Sequence, residues 1–222
     1  MDGSLGNFPF LTASEFAACA AHFVGRYGAV LDAAVVAGPL PSQSYLRIRR
    51  PLLAPSGSDE GGSGAGTADE WDADGLEDAD PALDAEPPIR QPRVAVGQTE
   101  YHIVYSPTWR VPVVYLRVQD ARNAGAAVMD AGQAADLLAT DSAVRGAMDA
   151  VEFGGALGIQ DHPVLGVPFL YLHPCHTATL LRAVAAPPAD GCTAGVAIGT
   201  TNYLAALLSL VGPAVGLALP AM

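Results

Sequence analysis

The 222-residue sequence contains no lysine; all 11 of its basic residues are arginine. Charge of either sign is scarce, at 15% of residues, and acids outnumber bases 23 to 11, for a formal net charge of −12. A nucleic-acid binder neutralises phosphates with clustered basic side chains, so this balance excludes that class. Cysteine is scarce too. Cys19, Cys175 and Cys192 are odd in number, in a chain long enough to bury a core without staples. That excludes a disulfide framework and makes the cytoplasm the expected compartment. Residues 1–7 hold no base and no apolar run, so no secretory or transit signal is expected there.

The longest uncharged stretch is 191–222, and its part at 203–219 approaches the length of a membrane span. Gly212, Pro213, Gly216 and Pro220 interrupt it; Thr200, Thr201 and Asn202 open it; no basic cluster flanks it. It is expected to be a buried helix followed by an apolar loop, with no membrane span.

What charge there is lies unevenly. Eleven of the 23 acids fall between residues 59 and 86, where there is no base; the other 12 face 11 arginines, so the rest of the chain is nearly neutral. Residues 55–88 are Gly, Ser, Ala, Asp and Glu, with prolines in the last third. Such a stretch buries too little apolar surface to offset its ordering entropy. It is expected to be a disordered acidic loop inserted into a single domain spanning 1–222; the alternative is an acidic docking segment anchored by Trp71 and Leu76.

Around this insert the pattern alternates between periods. Thr12 and Glu15 have capping-box spacing, and Phe16, Cys19, Phe23 and Tyr27 share one helical face, which Gly25 and Gly28 are expected to end. Residues 44–50 alternate as a strand, with Leu46 and Ile48 against Arg47 and Arg49. Residues 99–106 and 111–118 are two stronger strands joined as a hairpin, and Pro112, lacking a ladder donor, belongs at a strand start or edge. Asp130 and Gln133 open a helix to about Ala139, and a further helical turn is expected from Ser142. Residues 168–173 form a short strand stopped by Pro174, and 176–185 has helical spacing. A last helix runs from about Thr201 to Leu210, stopped by Gly212 and Pro213. Adjacent strands between helices give an α+β fold with an antiparallel sheet.

Chemistry is concentrated at Cys175. Pro174 breaks the strand just before the thiol, His173 and His176 flank it, and a helix begins just after it. A helix N-terminus favours thiolate, so the setting suits a nucleophile. The competing readings are a buried inert thiol, a zinc site built on His-x-Cys-His, and a cysteine protease using His22, His102 or His162 as base. The other cysteines are too remote for finger spacing, and no protease signature is present.

The run from His162-Pro163-Val164-Leu165-Gly166 through His173-Pro174-Cys175-His176-Thr177 resembles the active-site segment of the autophagy E2-like conjugating enzymes, whose hallmark is His-Pro-Cys. The hairpin Tyr101-His102-Ile103-Val104-Tyr105-Ser106 to Val111-Pro112-Val113-Val114-Tyr115, and the ending around Val211-Gly212-Pro213-Ala214-Val215-Gly216-Leu217, are similar to the branch that handles autophagy-related protein 12. The resemblance implies an E2-like, UBC-variant core: a four-stranded antiparallel sheet with flanking helices. It implies that Cys175 takes the modifier from the E1-like autophagy-related protein 7 as a thioester and passes it to a lysine of autophagy-related protein 5, with no cofactor or metal. Most E2 enzymes place an Asn ahead of the cysteine for the oxyanion; here the motif has none. His173 and His176 are candidates for tuning the thiol or positioning the amine, and Thr177 and Asn202 are candidate donors. The alternatives are a non-catalytic module binding ubiquitin-like proteins, with Cys175 inert, and the sibling enzyme of the lipid-linked modifier.

Overall fold

The computed structural model describes residues 4–40, 43–54, 94–139, 157–186 and 197–220. The acidic insert, Cys192 and the helical turn expected from Ser142 lie outside these residues.

Helix α1 (Ala13–Leu31) starts where the capping box places it. Thr12 Oγ1 accepts the Glu15 N–H at 3.2 Å, and the Glu15 carboxylate accepts the Thr12 N–H at 2.7 Å. Such a cap contributes about 1 kcal/mol. The helix does not end at Gly25 or Gly28. It continues to Leu31 and closes at Asp32, which adopts a left-handed conformation with φ 47°. A helical glycine costs about 1 kcal/mol. The last turn recovers that cost by burying Tyr27 and Leu31.

Seven strands form one sheet: β1 (Ala33–Val36), β2 (Tyr45–Leu53), β3 (Ala95–Ser106), β4 (Val111–Asp120), β5 (Ala127–Val128), β6 (Leu157–Asp161) and β7 (Pro168–Leu172). Their order is β1-β2-β3-β4-β7-β6, with β5 also on β4, and every pair is antiparallel. The four strands expected from sequence are β2, β3, β4 and β7, the contiguous centre. The expected four-stranded sheet is thus widened at its margins by short strands. Pro112 is the second residue of β4 and pairs with Tyr105, ahead of Tyr115, where β4 first meets β7. Its missing donor therefore removes no ladder bond on that side.

One face of the sheet carries the main core. Leu46, Ile48, Tyr101, Ile103, Val114, Leu116 and Leu170 meet α1 and the helix α4 (Tyr203–Val211). Helix α2 (Ala131–Leu138), capped by Asp130, closes one end of it. The described part of the uncharged C-terminal stretch packs into the core, as expected: Leu204, Leu207, Leu208, Val211, Val215 and Leu217 are at most 2% exposed. No helix among the described residues is long and apolar enough to cross a membrane. Three tyrosine hydroxyls tie the core to backbone carbonyls: Tyr101 to Val215 (2.8 Å), Tyr203 to Pro9 (2.6 Å) and Tyr105 to Leu11 (2.8 Å). The opposite face holds a smaller cluster of Tyr45, Val104, Val113, Tyr115 and Phe169.

The insert leaves and re-enters at one point. Leu53 pairs with Ala95, and the Ala54 N–H donates to Val94 O at 2.9 Å. The chain between them therefore connects two ends that the ladder already holds together, and shortening such a loop changes closure entropy only by about 0.6 kcal/mol per halving. Replacing residues 56–86 with a short Gly/Ser linker is expected to leave the thermal midpoint within about 3 °C of wild type. A large fall in that midpoint in a melting scan would show that the segment packs on the domain.

Candidate active site

Strand β7 delivers the chain to the site and Pro174 ends it. His173, Pro174, Cys175 and His176 make a single 3-10 turn that runs into helix α3 (Thr177–Ala185). Pro174 occupies the first position of that turn, where its missing N–H costs nothing. Pro174 and Thr177 are buried and anchor the turn, whereas Cys175 and His176 are exposed. Cys175 is therefore not the buried inert thiol weighed from sequence. That description fits Cys19, which is 1% exposed on the core face of α1; burial first, and the Glu15 charge second, push its thiol up to about 12.

His173 Nδ1 accepts the backbone N–H of Cys175 at 3.2 Å. This has two chemical consequences. A nitrogen that accepts carries no proton, so the neutral ring holds its proton on Nε2. The N–H of Cys175 is also engaged, so it is not a free donor for an oxyanion at the thiol. Asn202 is withdrawn in the same sense: its Oδ1 accepts the Gly199 N–H at 2.8 Å and its Nδ2 donates to Ala197 O at 2.9 Å, closing the loop ahead of α4.

Beside the turn lies a cleft of about 180 Å³ whose walls include Trp109, Tyr115, Gln160, Tyr171, His173 and Pro174. Trp109 comes from the β3–β4 turn, closed by the Arg110 N–H on Ser106 O at 2.7 Å. The residue is 45% exposed, and its ring stands edge-on to His173 with centroids 5.4 Å apart. Tyr171 lies 6.1 Å from both the Tyr115 and the His173 rings. Its own ring crosses Gly158 on the neighbouring strand, where a Cβ would stand 2.8 Å from Tyr171 Cε1. Any larger residue there would displace the Tyr171 ring from its place in the cleft wall. Sequence reasoning missed these walls. The available signal was the alternation of Phe169, Leu170 and Tyr171, which puts both rings on the face away from the main core.

The other histidines are not at the thiol. His22 lies on the exposed face of α1. His102 and His162 are buried against each other, with 3.0 Å between ring nitrogens. Neither serves as a protease-like base for Cys175. Among the described residues no cluster of His, Cys, Asp and Glu has the makings of a metal site.

The sequence as a whole matches the family described as "Autophagocytosis associated protein, active-site domain" over residues 15–222. A human protein named Ubiquitin-like-conjugating enzyme ATG10 is 31% identical over 121 residues, which is 54% of this chain and 50% of the human one. A protein of the same name from Gibberella zeae is 28% identical over 254 aligned positions, covering 98% of this chain and 97% of the fungal one. The chain thus spans about half the length of the human relative and nearly all of the fungal one.

Proposed function

The chain belongs to the autophagocytosis-associated family of E2-like, ubiquitin-like-conjugating enzymes, and from that premise we propose that Cys175 carries the modifier autophagy-related protein 12 as a thioester. The observation that carries this reading is the turn itself: an exposed thiol, held by a buried proline and an imidazole cap, at the end of a central strand. The donor is the E1-like autophagy-related protein 7, the acceptor a lysine of autophagy-related protein 5, and the compartment the cytoplasm. The whole of 1–222 works as one domain with 55–88 as an inserted acidic loop, of which residues 56–86 are dispensable for charging.

In the first step Cys175 Sγ, as thiolate, attacks the thioester carbonyl at the modifier's C-terminus and the donor's cysteine thiolate leaves. In the second, an unprotonated lysine amine attacks the new thioester. An amide forms, the C–S bond breaks, and the amine's extra proton passes to solvent or a nearby base. The ring of His176 is the group nearest in sequence for that proton, since Nε2 of His173 already carries one in the neutral ring. Either ring could also orient the amine.

Incubation with the E1-like protein, ATP and the modifier, followed by gels with and without reductant, tests the reading. A reductant-labile adduct is expected; a chain that never charges would leave the non-catalytic ubiquitin-like-binding module as the better description. Substituting the lipid-linked modifier in the same assay separates the sibling activity.

The absence of lysine has a chemical consequence in this assay. An amine on the same chain as a thioester has a high effective concentration and captures the acyl group. These 222 residues offer no lysine amine to do so. Prolonged charging without acceptor is expected to yield no reductant-resistant adduct on a side chain, and peptide mapping by mass spectrometry checks it. A modified internal residue other than Cys175 would contradict the expectation.

A further inference from the structure

On the sheet face opposite the helical core, two imidazoles are sealed in: His102 of β3 is 3% exposed and His162, just after β6, is 1% exposed. His162 Nδ1 accepts the backbone N–H groups of Val164 and Leu165, both at 3.2 Å. Its proton is therefore on Nε2, which lies 3.0 Å from His102 Nδ1 and donates to it. The His102 proton is then on its own Nε2, 3.2 Å from Glu100 Oε1. That last approach is too poorly aligned for a hydrogen bond, so the buried N–H meets the carboxylate through charge alone. Each proton position dictates the next, and the only arrangement that satisfies the chain has both rings neutral. A proton added to His162 Nδ1 would face two backbone N–H groups. One added to His102 Nδ1 would face the His162 N–H.

The surroundings favour the neutral pair. Desolvation lowers both imidazoles; for His162 the nearby His102 adds to it, taking the group from 6.5 to about 4. Glu100 on β3 pulls His102 the other way, while Arg47 and Arg49 on β2, whose Nε atoms lie 3.7 and 3.5 Å from the same carboxylate oxygen, oppose that pull. Tyr45 on β2 and Tyr115 on β4 face the pair as phenols that burial keeps protonated. Phe169 of β7 lies tilted against both rings with centroids 5.0 Å away, and Asp161, next to His162, is exposed to solvent.

We propose that His102 and His162 are positioning residues: a neutral imidazole latch that fastens the 162–167 turn to the sheet and so sets the strand ending at Cys175. The inference rests on the thioester role of Cys175 given above. Rings in contact lead from the latch to the site: His162 to Tyr115 at 5.2 Å, Tyr115 to Tyr171 and Tyr171 to His173 at 6.1 Å each. His173 then holds the Cys175 N–H. The turn is closed by the His162 N–H on Val167 O and the Gly166 N–H on His162 O, both 2.8 Å, so a displaced His162 unfastens the hairpin at its root. Because folding lowers both groups, the folded chain binds fewer protons than the unfolded one below pH 6.5. The latch is fully present above that pH and is lost as the pH falls toward 4.

Nitrogen NMR of the ring atoms in the uncharged protein tests the arrangement without any activity. Both rings are expected to be neutral with the proton on Nε2 at neutral pH, and the Val164 and Leu165 amide signals are expected to titrate together with His162 in acid. Single-turnover charging from the E1-like protein tests the consequence. His162→Ala is expected to lower the charging rate constant by on the order of tenfold or more with KM for the charged donor unchanged, since small misplacements at a reacting atom cost that much. His162→Asn, whose Oδ1 can again accept the two turn amides, is expected to recover most of it. A charged ring or a proton on Nδ1 at neutral pH, or a folded His162→Ala that charges at the wild-type rate, overturns the latch. A wild-type chain that never charges would sink the proposed function instead, leaving the ring NMR to decide the latch.

Discussion

Cys175→Ala is expected to abolish charging altogether, and Cys175→Ser to replace the reductant-labile adduct with a reductant-resistant oxyester. The argument is one of accessibility and ionisation. A nucleophile must meet a protein-borne thioester at its surface, and Cys175 is the exposed thiol among the described residues, on a turn whose backbone is pinned at both sides. Cys19 fails both conditions. It is sealed in the core, and with its thiol raised to about 12 it offers almost no thiolate near neutrality. Cys19→Ala is therefore expected to charge at the wild-type rate after correcting for folded protein. It should lose on the order of 1 kcal/mol of stability, as small core truncations do. Cys192→Ser is expected to charge normally, because its sequence surroundings carry no group that would activate a thiol. The gels with and without reductant read all four variants. An adduct on Cys175→Ala would refute the mechanism.

The same residues show why part of the site was legible and part was not. His173, Pro174 and Cys175 are consecutive, so their chemistry could be read along the chain: a proline that ends a strand exposes the next residue. The cleft beside them is assembled from four separate segments. Trp109 arrives from a hairpin turn, Tyr115 from β4, Gln160 from β6 and Tyr171 from β7. No local pattern announces such a meeting, since each ring taken alone is an ordinary strand or turn residue. Asn202 shows the opposite failure. Its residue type suited an oxyanion donor, but its amide is tied up within its own loop, a fact of geometry that residue type cannot convey.

The fold divides along similar lines. Strands β2, β3, β4 and β7 have β-branched or alternating runs and were readable by period. Strand β6 was not: Leu157-Gly158-Ile159-Gln160-Asp161 is half-exposed, contains a glycine and an acid, and exists because β7 offers it a ladder. Helix α1 outran the glycines expected to stop it because tertiary burial of Tyr27 and Leu31 outweighs a local propensity of about 1 kcal/mol each. Such overrides are invisible until the partner surface is known.

Gly212→Ala is expected to be the most damaging single-methyl change in the C-terminal core. Sequence reading assigned Gly212 the job of ending helix α4 with Pro213 behind it, and it does cap that helix. Its further constraint is spatial. The chain closes on itself here: the Gly212 N–H donates to Leu208 O at 2.9 Å, and Gly212 O accepts the Val215 and Leu217 N–H groups at 2.9 and 2.8 Å. A Cβ at this position would collide with the carbonyl oxygens of both Leu208 and Leu217, so the backbone there must shift. Both are backbone atoms, one of them the acceptor of the capping bond, so relief means breaking hydrogen bonds that hold Val215 and Leu217 in the core. Both of those side chains are fully buried, and Val215 O also receives the Tyr101 hydroxyl. Overpacking of this kind costs about 3 kcal/mol or more. For a chain of this size that corresponds to a fall of roughly 10 °C in the thermal midpoint. Thermal unfolding followed by circular dichroism measures it directly. A midpoint within about 2 °C of wild type would mean that the 212–217 turn can open without disturbing the core, and that its close approach is incidental to stability.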